Sequence, residues 1–104
     1  MKLIKEIQSQ TKTVQTQGRI LKKRDLGKIC FLELADFSAT IQIVVDKPEL
    51  LARLQDLHPQ SIINVSGVVN TGPNNVLEIH AEEISIIKNV SETANLELQT
   101  KEIK

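Results

Sequence analysis

Phe31 and Gln42 are the two side chains of this sequence best suited to hold a nucleotide base. An aromatic ring stacks on the face of any base, and an amide offers both a donor and an acceptor to the base edge. Five cations lie within ten positions of one another around this stretch, opposed there only by Asp25. They are Arg19, Lys22, Lys23, Arg24 and Lys28. These residue types predict a nucleic-acid site with cations that steer backbone phosphates toward it.

Each of these features also has a simpler interpretation. The cations can form a solvated hairpin rim, and Phe31 can pack beneath a loop or beneath the N-terminal segment. Gln42 is then an ordinary exposed strand residue. The occurrence of all three features in one stretch favours the binding site over these alternatives.

The chain as a whole gives no sign of a nucleic-acid partner, because its 13 Lys and Arg balance its 13 Asp and Glu. Its 104 residues suffice for one core, but not for a catalytic domain with a second fold beside it. Cys30 is the single cysteine, which excludes an internal disulfide and is typical of a reducing compartment. No signal-peptide or membrane-spanning pattern occurs, so we expect a cytoplasmic protein.

Hydrophobic periodicity predicts five strands and one helix. The strands are expected over 11–21, 28–35, 40–45, 61–69 and 76–87, with turns at 24–27, 36–39 and 70–75. The helix begins at Pro48 and ends at His58-Pro59. Gly18 predicts a bulge or tight bend, and Glu82-Glu83 predicts another bulge.

Five strands with one helix between the third and the fourth is the order of an OB-fold, an all-β Greek-key barrel. We assign residues 1–90 to this domain. Residues 91–104 have no assignable partner strand and are expected to form a linker or tail.

Strand parity separates the core from the outer face. The inward set is apolar and comprises Cys30, Leu32, Leu34, Ile41 and Ile43. The outward set comprises Ile29, Phe31, Glu33, Thr40, Gln42, Val44, Glu78 and His80. Arg24 has the parity of the apolar Ile20, so it reaches the face of Phe31 only if the first strand bulges or ends before it.

Two segments of the chain carry a family resemblance. GRILKKRDLGKICFLELADFSATIQIVV resembles the first three strands of the N-terminal anticodon-binding domain of class IIb aminoacyl-tRNA synthetases, the group specific for aspartate, asparagine and lysine. INVSGVVNTGPNNVLEIHAEEISIIKNV resembles the fourth and fifth strands, with the short loop of the archaeal-type aspartyl and the asparaginyl enzymes. The likeness covers roughly positions 11–90, and the order and spacing of its motifs are more specific than any one motif.

The resemblance implies a defined site. Phe31 matches the residue that stacks on the central anticodon base, a uracil, and Arg24 and Gln42 match residues that hydrogen-bond this base. Glu78 matches an acidic residue that contacts another anticodon base. The alternative for Glu78 is an exposed glutamate paired with a nearby lysine.

Other positions match the family less firmly. Asn74 and Asn75 lie in the loop that reaches the anticodon in relatives, yet Pro-Asn-Asn is also good turn sequence. Ala35 stands where the family usually has Arg, and Ala81 where it usually has Pro. Ala39 replaces a usual Gly, which leaves the geometry of the turn at Ser38-Ala39 open.

No motif in the chain indicates catalysis. His58 and His80 have no partner at metal-ligand spacing, Cys30 lacks the context of a nucleophile, and no Gly-rich phosphate loop occurs. We therefore expect no catalytic residue, no metal site and no cofactor here. The resemblance implies that ATP and Mg²⁺ belong to a separate catalytic domain of an aspartate- or asparagine-tRNA ligase, for which this domain positions the tRNA.

Three functions remain open at this point. The preferred one is a tRNA anticodon-binding module, monomeric in isolation and part of a homodimer in a full-length synthetase. The second is a general single-strand-binding OB domain, although two phenylalanines are few for stacking successive bases. The third is a protein-interaction OB domain, which the neutral net charge permits. The short loop before the last strand favours aspartate or asparagine tRNA over lysine tRNA without deciding among the three.

Overall fold

The computed structural model describes residues 1–89, which form a closed barrel of five strands. The strands are β1 (Thr13–Asp25), β2 (Cys30–Ala35), β3 (Thr40–Val45), β4 (Ile62–Thr71) and β5 (Leu77–Lys88). One α-helix, α1 (Pro48–Leu54), lies between β3 and β4, and short 3-10 turns occupy Ile4–Glu6 and Pro73–Asn75. The predicted tail over 91–104, like residue 90, lies outside the described residues.

The strands follow the order β1-β2-β3-β5-β4 around the barrel, and β4 returns to pair with β1. Every neighbouring pair is antiparallel except β3 and β5, which run parallel. Closure removes free strand edges, which would otherwise be open to other chains. This arrangement, with one helix between the third and fourth strands, confirms the predicted OB-fold.

The barrel interior is filled by the apolar half of each alternating strand. The inward set predicted from parity is buried: Cys30, Leu32, Leu34, Ile41 and Ile43 are all at most 7% exposed. Ile4 and Ile7 join this core from the N-terminal segment, and Leu50, Leu54 and Leu57 join it from α1 and the turn that follows. Among residues 1–89, neither the α-helix nor the 3-10 turns have the length and hydropathy needed to cross a lipid bilayer.

The element boundaries differ from the prediction at several places. β1 extends to Asp25, so Arg24 belongs to the strand and not to the turn, and β2 begins at Cys30 instead of residue 28. β4 continues to Thr71, into the predicted turn. The helix ends at Leu54, before His58-Pro59, although Leu57 stays buried because its N–H still bonds the carbonyl of Leu54.

The bulge in β1 lies three residues beyond Gly18, since the register against β2 shifts between Ile20 and Lys22. Gly18 is needed for another reason. A Cβ on it would lie 2.5 Å from the backbone oxygen of Ala35, so only glycine lets β1 and β2 approach here. The second predicted bulge is confirmed, because Glu82 is skipped in the register between β4 and β5.

The turn between β2 and β3, which the sequence leaves open, is organised by Asp36. Its Oδ1 accepts hydrogen bonds from the backbone N–H groups of Ser38 and Ala39 at 2.7 and 3.1 Å and from the Ser38 hydroxyl at 2.6 Å. Its Oδ2 accepts from the N–H of Ile4 at 2.9 Å. Although desolvation acts to raise the pKa of Asp36, these hydrogen bonds prevail and lower it to about 2.

Candidate nucleic-acid interface

Two rows of side chains cross the outer face of the barrel, each drawn from all five strands. Cα partners from β1 to β4 define the first row as Lys22, Glu33, Gln42, Glu78 and Asn70. The second row runs beside it through Arg24, Phe31, Val44, His80 and Val68. The first row is polar or charged throughout, whereas the second has an apolar centre. Together they present hydrogen-bonding groups alongside an apolar surface.

A groove of about 560 Å³ lies over the first four positions of both rows. Its lining combines those eight residues with Ile29, Leu32 and Pro73. We call this depression the groove. It contains four residues that the sequence singles out as contacts for a base: Arg24, Phe31, Gln42 and Glu78.

The bulge in β1 is what brings Arg24 to this face. Before the bulge, Ile20 points inward and is fully buried, and Arg24 would share its side of a regular strand. The extra residue reverses the inward–outward alternation of β1 beyond this point. Lys22 therefore pairs with Glu33 and Arg24 with Phe31, and the side chains of Lys22 and Arg24 are exposed. The condition that sequence parity set for Arg24 is therefore met.

Phe31 and Val44 form the apolar part of the groove. They are Cα partners on β2 and β3, and Phe31 is half-buried while Val44 is only 5% exposed. Val44 lies on the outward face, as parity predicts, but it is as buried as a core residue. It therefore supports an aromatic ring at the centre of a face that is otherwise polar.

Glu78 is the hydrogen-bonding centre of the polar row. Its Oε2 accepts a hydrogen bond of 2.6 Å from Nε2 of Gln42, and its Oε1 lies 3.5 Å from Nε2 of His80. The side chain of Glu78 is only 13% exposed, against 40% for His80. The alternative of an exposed glutamate paired with a lysine is thus not what the structure has, because the partners are an amide and an imidazole.

The loop before β5 closes one side of the groove. Pro73 lines the groove directly, and the next two residues are exposed with left-handed backbone angles, φ 62° at Asn74 and 60° at Asn75. Asparagine tolerates this conformation better than most residues, so the Asn pair has a structural reason to be there. Of the loop residues 73–75, Pro73 is the one that lines the groove, so the structure does not bring the predicted site residues Asn74 and Asn75 into the groove.

Lys23 differs from its neighbours on β1. Its Nζ donates to the backbone carbonyl of Leu54 and, at 3.1 Å, to that of Leu57, at the end of α1. Carbonyls at a helix C-terminus lack partners within the helix and attract cations. The sequence groups Lys23 with the phosphate-steering cations, but the structure corrects this grouping, since its ammonium is held on the side of the helix.

The other two predicted steering cations lie away from the groove. Arg19 pairs with Ala35 near the far end of β2, and its guanidinium lies 3.5 Å from Oε1 of Gln60. Lys28 lies in the turn between β1 and β2 and lines a separate depression beside α1. Of the five clustered cations, only Lys22 and Arg24 line the groove.

Six groove residues were not predicted as part of the site. They are Ile29, Leu32, Glu33, Val44, Pro73 and His80. Parity places Ile29, Glu33, Val44 and His80 outward, so the sequence contained a signal for these four. Pro73 depends on how the loop folds over the barrel, which local sequence does not reveal.

The fold and this groove define an OB-type barrel with an outer surface suited to nucleic acid. The comparisons with known proteins agree. The tRNA anti-codon family, described as an OB-fold nucleic acid binding domain, matches residues 14–87. The chain therefore belongs to this family.

Relatives place this domain within much longer proteins. An aspartate–tRNA ligase of Streptococcus agalactiae is 29% identical over 98 residues, which cover 84% of this chain and 17% of the relative. An aspartate–tRNA(Asp/Asn) ligase of Corynebacterium aurimucosum is 31% identical over 80 residues, covering 77% of this chain and 13% of that protein. The chain thus spans less than a fifth of either protein.

A solved structure shows the same fold. The asparaginyl-tRNA synthetase from Pyrococcus horikoshii superposes with a TM-score of 0.78 at 26% identity, covering 88% of this chain and 24% of the synthetase. The resemblance to synthetase anticodon-binding domains seen in the sequence is therefore confirmed at the level of the family and the fold.

Proposed function

We propose that this domain binds the anticodon of a tRNA in the groove and recognises its central base, a uracil. Phe31 stacks on that base, while Arg24 and Gln42 hydrogen-bond its edge. The pairing of β1, β2 and β3 is the observation that supports this most, because it brings all three side chains to one groove. Single-stranded RNA is recognised in this way, by aromatic stacking joined with hydrogen bonds to base edges.

The remaining groove residues have complementary roles in this proposal. Glu78 lies beside Gln42, where a neighbouring anticodon base would come next. Asn74 and Asn75, which follow Pro73 in an exposed loop, offer amides to the same loop of RNA. Lys22 is placed to neutralise a backbone phosphate. Arg19 and Lys28 act only as distant steering charges. Lys23 has no role in RNA binding in this proposal, because backbone carbonyls at the end of α1 hold its ammonium group.

The names of the relatives extend the proposal to a longer protein. In it, this domain positions an aspartate or asparagine tRNA for aminoacylation by a class II catalytic domain, which supplies the ATP and Mg²⁺ sites. We propose that such a protein is a homodimer in the cytoplasm and that the isolated domain is a monomer. In this proposal, the domain described here contributes recognition of the tRNA.

The test compares anticodon stem-loops that differ at one base. Binding of the 104-residue chain is measured by fluorescence anisotropy to an aspartate-tRNA stem-loop with the natural central uracil and to the same stem-loop with cytosine there. We expect the uracil form to bind about tenfold more tightly, which is the worth of one or two hydrogen bonds.

The other results separate the alternatives. Equal binding of both stem-loops and of an unstructured RNA of the same length would indicate a general single-strand-binding domain. No binding to any RNA would remove the nucleic-acid role and favour a protein partner.

A further inference from the structure

Glu78 fixes the orientation of the Gln42 side-chain amide. The amide nitrogen of Gln42 donates a hydrogen bond of 2.6 Å to Oε2 of Glu78. A carboxylate only accepts hydrogen bonds, so the nitrogen of the amide must face Glu78 and the oxygen must face away from it. No described residue donates a hydrogen bond to Oε1 of Gln42, so this acceptor remains available to a ligand.

Glu78 itself is held from several sides. Gly72 packs directly on the carboxylate, because a Cβ at that position would lie 2.7 Å from Glu78 Cδ. His80 approaches the second carboxylate oxygen at 3.5 Å, and only 13% of the Glu78 side chain is exposed. A carboxylate confined in this way offers Gln42 a fixed partner.

We propose that Glu78 is a positioning residue that acts through Gln42 and makes the groove prefer uracil to cytosine. Uracil carries an imino N–H on its Watson–Crick edge, whereas cytosine carries a bare acceptor nitrogen at the same ring position. An amide oxygen held toward the base accepts from uracil and opposes the cytosine nitrogen. A freely rotating amide would turn and serve both bases equally. This inference rests on the proposed function, since it assumes that a base enters the groove.

Glu33 provides a matched control for Glu78. Both carboxylates line the groove, and they flank Gln42 on its two neighbouring strands. No hydrogen bond joins Glu33 to Gln42 among the described residues. Removal of either carboxylate takes the same negative charge from the groove, but only Glu78→Ala releases the amide.

The experiment measures the ratio of the two stem-loop affinities in three proteins. The wild type is expected to favour uracil about tenfold. Glu78→Ala should bring the ratio close to one, whereas Glu33→Ala should keep the wild-type ratio even if both stem-loops bind more tightly. A wild-type ratio retained in Glu78→Ala overturns the inference and leaves the proposed function standing. Equal affinities in the wild type overturn both.

A second variant tests the same inference if Glu78→Ala does not fold. Gly72→Ala keeps the carboxylate but forces it to move, so it should also lower the ratio, with the thermal unfolding of each variant recorded alongside.

A measurement without RNA addresses the orientation itself. In NMR spectra of the wild type, one Gln42 side-chain amide proton should exchange slowly with water, and Glu78→Ala should abolish this protection while Glu33→Ala preserves it. Rapid exchange in the wild type would overturn the inference whatever the chain binds.

Discussion

The regions at the two ends of β2 each combine a phenylalanine with a carboxylate, in different settings. Near its start, Phe31 lies in the groove with the carboxylate of Glu78 two strands away. Just beyond its end, Asp36 and Phe37 lie side by side in the turn to β3. Phe31 is half-buried beside Val44, whereas Phe37 is 87% exposed. Asp36 binds backbone donors and one hydroxyl, whereas Glu78 binds two other side chains.

This difference in partners distinguishes a carboxylate that stabilises the fold, Asp36, from one that lies in a possible binding site, Glu78. The backbone N–H groups around Asp36 are fixed by the fold, so its oxygens are committed to the turn. Glu78 instead binds the amide nitrogen of Gln42, which leaves the amide oxygen available to a base. The two phenylalanines differ in the same sense, because Phe31 is half-buried in the groove beside Val44 whereas the side chain of Phe37 is largely exposed.

Asp36→Ala tests the structural side of this comparison and should have the largest effect. The substitution removes the acceptor for three backbone N–H groups and a hydroxyl, so we expect the free energy of unfolding to fall by about 2–3 kcal/mol. Urea denaturation measures it.

Glu33→Ala is the control for this loss, since it removes a carboxylate that bonds no described residue and should change stability by less than about 0.5 kcal/mol. RNA affinity of the folded Asp36→Ala protein should stay near that of the wild type. A stable variant that binds RNA poorly would reverse the assignment of the two regions.

Phe31→Ala tests the ligand side of the comparison. Loss of the stacking surface should weaken stem-loop binding by about 1–3 kcal/mol and leave the fold intact. Phe37→Ala removes an equal ring from the other end of β2 and should leave binding unchanged. Anisotropy titrations give the affinities, and thermal melting reports the fold. If Phe31→Ala unfolds the domain, Phe31 is a core residue and its assignment to the outer face is wrong.

The regular parts of this comparison could be predicted from the sequence. In β2 every second residue is buried, and in β3 the alternation holds from Thr40 to Ile43, so the inward residues Leu32 and Ile43 are buried as that pattern requires. The outer positions of Phe31 and Gln42 followed directly. The order of strands and helix then gave the barrel, so the site on adjacent strands was within reach of sequence reasoning.

The irregular parts could not be predicted, for physical reasons. The bulge at Leu21 lies where the apolar pair Ile20-Leu21 is followed by charged residues, and nothing in this local pattern shows that one residue is left out of the pairing with β2. Lys23 is held by carbonyls at the end of α1, more than thirty positions away in sequence, and nothing local distinguishes it from Lys22. The burial of Val44 likewise depends on how β3 and β5 pair, which is a tertiary property.

The pH dependence of the free energy of unfolding tests whether Asp36 stabilises the fold through its ionised carboxylate. Its pKa in the folded protein is about 2, below the ordinary value of 3.8 that applies when the chain is unfolded. Its stabilising contribution is therefore complete above pH 3.8 and is lost as the pH falls through about 2. The stability difference between the wild type and Asp36→Asn should be constant near neutral pH and should shrink between those two values. Urea denaturation at a series of acidic pH values measures it, and a difference that grows on acidification would contradict the assignment.

The smallest expected effect concerns the adjacent cations of β1, which repeat the same contrast. Lys23 is bound to backbone carbonyls, as Asp36 is to backbone donors, whereas Lys22 lines the groove with no hydrogen-bond or ion-pair partner among residues 1–89. Lys22→Gln should therefore make the dependence of RNA affinity on salt shallower by roughly 0.7 on a log–log plot, as expected for one lost phosphate contact. Lys23→Gln should leave that slope unchanged and lower the free energy of unfolding instead.

Titrations at several salt concentrations, with urea denaturation of both variants, measure the two quantities. Equal salt dependence of RNA affinity in the two variants would contradict the assignment of the phosphate contact to Lys22 and not to Lys23.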